Sequence, residues 1–175
     1  MVTTEQPSSL SYKAISEYAE LVYSTFEKTI TDDKPNAKKT QASNIRKLVE
    51  VLGGELEYRE TGESMVVVRE GEFTIFLPFM SSTRRDRFTI AHELGHYYLH
   101  YLQLDIQGRR VFTRRGSHRL ETQANVFASS LLMPKTRFEV AYRKYSGDLI
   151  KLARAFDVSV PAASVRCQVL RLGVD

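Results

Sequence analysis

Apolar positions along the chain follow two different periods. Ile15, Tyr18, Ala19, Val22 and Phe26 recur three or four residues apart. That spacing predicts an amphipathic helix from Tyr12 to about Ile30. Residues 1–10, which precede it, read as disordered. "TDDKPNAKK" reads as a polar loop, and a second helix is expected over Gln41–Leu52, stopped by Gly53-Gly54. The pattern then changes to short runs rich in β-branched and aromatic residues. "ELEYRE", "SMVVVRE" and "EFTIFLP" are separated by turn-forming "TGE" and "EGE", which predicts a three-stranded antiparallel meander ended by Pro78.

Helical spacing returns after "SST". Thr83, with Asp86 three residues on, resembles a capping box, so a helix is expected from Arg84 to about Tyr101 with Thr83 as its N-cap. "DIQGRRVFTRRGS" reads as a loop. The next helix carries Leu120, Ala124, Phe127 and Leu131 on one face. A further helix follows Pro134, from Lys135 to Tyr145. Asp148 caps a short helix over Leu149–Phe156, and Ser159 caps the last one, with Pro161 in its first turn and Gly173 past its end. The fold class is therefore α+β, mostly helical with a small sheet.

Composition narrows the possibilities. With 175 residues, 42% hydrophobic and 26% charged, the chain fits one domain able to bury a core. No apolar run is long enough to span a bilayer. No basic start followed by an apolar run marks a signal peptide. A single cysteine, Cys167, fits a reducing cytoplasm and a packed position in the last helix. Charge is uneven: residues 1–83 hold 9 Lys and Arg against 13 Asp and Glu, while residues 84–175 hold 16 against 8. The basic half would suit nucleic acid, an acidic protein segment, or simply a solvated surface.

Candidate chemistry concentrates in "AHELGHYYLH". On a helix, His92 and His96 lie one turn apart on one face and can close on one ion. Glu93 is rotated by about 100°, so it flanks the ion as a general base toward an attacking water. With 4 His and 14 Glu in the chain, this motif arises by chance in on the order of one in a hundred such sequences. Its neighbours Ile90, Ala91, Leu94 and Gly95 imply burial, and three buried ionisable groups need a partner. A third ligand is required. His100 continues the series but lies about 12 Å along the axis from His92, and reads as a helix-end residue. His118 reads as exposed, and Glu139 lies beyond Pro134. Glu121 fits best, opening a helix that can pack across the motif helix. Asn125, one turn later, could hold a ligating imidazole by its other nitrogen.

The segments "RRDRFTIAHELGHYYLH", "ETQANVFASSLLMP" and "LARAFDVSVPAASVRCQVLRLG" resemble the ImmA/IrrE family of metallopeptidases over roughly residues 40–173. The resemblance implies a zincin-like fold with the sheet packed on the motif helix. It implies Zn2+ held by His92, His96 and Glu121, with Glu93 as the catalytic acid. It also implies a substrate or partner: a helix-turn-helix repressor of the Xre type, in a phage, mobile element or stress response. We expect a helical segment over 1–35, a metallopeptidase core over 36–147 and a helical, helix-turn-helix-like segment over 148–175. Tyr97, Tyr98, Arg115 and His118 are the nearby candidates for stabilising a tetrahedral intermediate. Two alternatives stand beside this reading. One is a DNA-binding module, although its second helix offers only Arg166 and Arg171 as cations. The other is an anti-repressor that sequesters its partner without cutting it.

Overall fold

The computed structural model describes residues 6–30, 44–114 and 116–173. Among the described residues, seven α-helices and four strands follow in the order α1 (Tyr12–Ile30), α2 (Ile45–Val51), β1 (Gly54–Tyr58), β2 (Glu63–Arg69), β3 (Glu72–Leu77), α3 (Thr83–Tyr97), β4 (Arg110–Thr113), α4 (His118–Leu132), α5 (Lys135–Lys144), α6 (Leu149–Phe156) and α7 (Val160–Val169). The "TDDKPNAKK" loop and residues 41–43 lie outside the described residues. Asn44 caps α2, its side chain accepting from Lys47 N. Gly53, at φ 80°, ends it in a conformation that favours glycine.

The α+β class holds, but the sheet is not a three-stranded meander. Its order is β1-β3-β2-β4, with β1 parallel to β3 and the other pairs antiparallel. The reason lies in which strands are apolar. β2 and β3 carry Met65, Val67, Phe73, Ile75 and Leu77, all buried, and they take the centre. β1, with charged Glu55 and Glu57, and the four-residue β4 take the edges. β4 sits inside the stretch read from the sequence as loop, where its alternation is too short to register against four arginines.

α3 begins one residue earlier than expected. Ser82, not Thr83, is the N-cap, and its Oγ accepts from Arg85 N. Asp86 does not reach back to the cap. It is buried and accepts from Tyr58 Oη (2.7 Å) and Arg46 (3.2 Å), tying β1 and α2 to the motif helix. The helix then widens: Tyr98–Leu102 form a π-helical turn, with Gln103 N bonding to Tyr98 O.

α3 packs between the sheet and α4, and α1 lies across α4. Tyr97 stacks on Phe73 at 4.4 Å, and Tyr98 stacks on Phe127 at 5.4 Å with Tyr18 edge-on. Residues 8–10 are not disordered. Ser8 is fully buried against α4 and Leu10 packs on the core; residues 1–5 lie outside the described residues. Cys167 is buried in α7, as expected. Arg166 is also buried, bonded to Met133 O, Ser130 Oγ and Glu20. One of the two cations available to the last helix is thus a core residue.

Candidate metal centre

The centre forms where α3 crosses α4, and the crossing depends on a glycine. A Cβ on Gly95 would lie 3.0 Å from both Cα and O of Ala124 and 3.2 Å from Phe127 Cβ. Glycine lets α4 come this close without pushing on the Ala124 backbone. His92 and His96 stand one helical turn apart, with their Nε2 atoms 3.1 Å from each other. Glu121, in the first turn of α4, places Oε2 3.1 Å from His92 Nε2 and Oε1 3.4 Å from His96 Nε2. Gly116 leaves room for this carboxylate, because a Cβ there would overlap Glu121 Oε1.

The donor set suits a divalent cation. One ligand atom each from His92, His96 and Glu121 fall within 4.8 Å of one another. Ligands at about 2.05 Å from a tetrahedral ion stand about 3.3 Å apart, and the three separations of 3.1, 3.1 and 3.4 Å bracket that edge. Glu121 Oε1 is buried and makes no hydrogen bond, a costly state unless a cation meets it. Burial alone would raise the Glu121 pKa. The closeness of the two histidines reverses this and holds it well below the usual carboxylate range. At His92 burial favours the neutral ring, but Glu121 and Glu93 together outweigh it and raise the pKa.

The imidazoles are held from behind. His92 Nδ1 lies 2.9 Å from Asn125 Oδ1, one turn after Glu121 on α4. His96 Nδ1 lies 3.0 Å from His100 Nδ1. His100 is not a third ligand, nor is it a free helix end. It is buried, and its Nε2 meets Gln123 Oε1 at 3.0 Å; burial lowers its pKa to about 4.

Glu93 sits beside the pair, 4% exposed, and accepts a 2.9 Å hydrogen bond from Ser64 Oγ on β2. Burial raises its pKa, against the opposing pull of His96, His92 and Ser64. A carboxylate shifted toward neutrality is a stronger base than one in water.

The remaining candidates separate clearly. His118 is exposed at the start of α4, and Glu139 lies on α5 outside the donor set. Tyr97 Oη accepts from Gly71 N, and Tyr98 is packed among aromatic rings; neither hydroxyl serves the centre. Arg115 lies outside the described residues. Ser64, His100, Gln123, Gly95 and Gly116 were not read from the sequence as part of the site. Only His100, in step with His92 and His96, gave a local signal.

A family model for the IrrE N-terminal-like domain, a peptidase domain, matches residues 55–168. Comparison with curated proteins returned no match. The matched span runs from β1 into α7, covers most of the chain and contains every residue of the His92–His96–Glu121 cluster and the Glu93 that flanks it. By that match the chain belongs to the IrrE N-terminal-like family of peptidases.

Proposed function

We propose that the protein is a zinc-dependent endopeptidase that cleaves, and so inactivates, a helix-turn-helix repressor of the Xre type. The observation that carries the enzymatic part is the meeting of His92, His96 and Glu121 within 4.8 Å, beside a buried Glu93. The repressor comes from the resemblance of the motif segments to the ImmA/IrrE family. When bound, a divalent ion supplies Lewis acidity, bringing the pKa of a water toward 7 and polarising a peptide carbonyl. Glu93 takes the proton of the attacking water and returns it to the leaving amine. Ser64 holds the Glu93 carboxylate in line through Oε2, and Asn125 fixes the His92 ring through Nδ1.

The test is incubation with the repressor encoded beside the gene, with and without a chelator, followed by mass spectrometry of the fragments. Metal-dependent fragments are expected from the wild type. Glu93→Gln should keep zinc and fold yet lower cleavage by at least about 100-fold, the usual weight of a general base. Full cleavage by that variant would remove the peptidase reading. Tight binding without fragments would indicate sequestration of the repressor.

A further inference from the structure

Behind His96 runs a closed chain of polar groups whose far end is backbone. Ser8 N donates to Gln123 Oε1 at 3.0 Å, and Gln123 Nε2 donates to Ser8 O at 2.8 Å. A peptide N–H can only donate and a peptide C=O can only accept. This two-point contact therefore fixes which end of the Gln123 amide is oxygen. That oxygen faces His100 Nε2 at 3.0 Å and can only accept, so Nε2 of His100 carries a hydrogen. Ser8, His100 and Gln123 are all buried, at 0, 1 and 0% exposure, and a buried ring facing an amide and another imidazole is neutral. The Nδ1 of His100 is then a lone pair. His96 Nδ1, 3.0 Å away, must be the donor, and in the neutral His96 ring Nε2 is then left without a hydrogen.

We infer that His100, oriented through Gln123 by the peptide groups of Ser8, is a positioning residue that keeps the His96 proton on Nδ1 and turns the bare Nε2 toward His92 and Glu121. The free histidine side chain places its proton mainly on Nε2, so this chain works against the intrinsic preference. The same logic accounts for the crowding at the centre. If the His92 ring is neutral and its Nδ1 donates to the Asn125 oxygen 2.9 Å away, its Nε2 is bare too. Two nitrogen lone pairs and a carboxylate then converge with no proton among them, an arrangement completed by a cation. The inference rests on the metal reading for its purpose, but its deciding test, the tautomers of the metal-free protein, does not.

The test is a long-range 1H–15N correlation spectrum of histidine-labelled, chelator-treated protein. His96 should appear as the Nδ1–H tautomer and His100 as the Nε2–H tautomer. A proton on Nε2 of His96 would overturn the inference. Gln123→Met, which removes the accepting oxygen, should turn the His96 signal into a tautomer mixture. His100→Phe should weaken zinc binding, measured by competition with a chromophoric chelator, by about 10–100-fold; affinity within twofold of wild type would count against the role. Should either variant fail to fold, the wild-type spectrum still decides. The expected tautomers in a chain that takes up no zinc would uphold this inference and remove the metallopeptidase reading.

Discussion

Glu93 is the residue whose chemistry is most exposed to its neighbours. Burial raises its pKa, and the Ser64 hydrogen bond is one of the influences that restrain the rise. Removing that bond in Ser64→Ala should raise the pKa further. A carboxylate base works only when ionised, so activity increases as pH climbs through its pKa. The acidic limb of the kcat/KM profile should therefore move to higher pH in Ser64→Ala, and an unmoved limb would deny Ser64 this influence. His92, Glu93 and His96 were legible in the sequence because their relation is local, set by 3.6 residues per turn. Ser64 was not, since it reaches Glu93 from 29 residues away across the sheet. His100 was visible as a residue but not in its role, which depends on Gln123 and Ser8 from two other parts of the chain.

At the level of elements, the centre is the crossing of α3 and α4, and Gly95 sets its closeness. Gly95→Ala should cost about 1–3 kcal/mol by overpacking. Because the neighbours it meets are the backbone of Ala124 and the Cβ of Phe127, α4 would have to shift, carrying Glu121 with it. Zinc affinity should fall together with the melting temperature of the metal-free protein. Loss of stability with unchanged affinity would show that the helix spacing does not set the ligand distances. The helices were readable from their periodicity, with Ser82 displacing Thr83 as cap by a single position. Strand existence was readable too, but strand neighbours were not. Pairing of β1 with β3 follows from which strands bury their side chains, and that is decided only when helices cover the sheet.

For the whole molecule, the proposed ion, shared by two helices, would link binding to folding. At a free zinc concentration 100 times its Kd, about 2.7 kcal/mol is added to stability, which for a chain of this size raises Tm by roughly 5–10 °C. Chelation should reverse that rise in a thermal melt, and His92→Ala should melt alike with and without chelator. A wild-type melt indifferent to chelation would contradict the link. The basic half of the sequence suited either an acidic partner or a solvated surface; Arg87, Arg110 and Arg166 are buried, so its net charge overstates the cations on display. The Ser8 contact carries one more consequence. Its grip on Gln123 is made by main-chain atoms, with no side-chain atom of Ser8 in the contact. Any effect of Ser8→Ala therefore reaches Gln123 indirectly, through the lost hydroxyl contacts with Gln103 and Leu10 N, whereas proline, lacking the N–H, removes one of the two latching bonds itself.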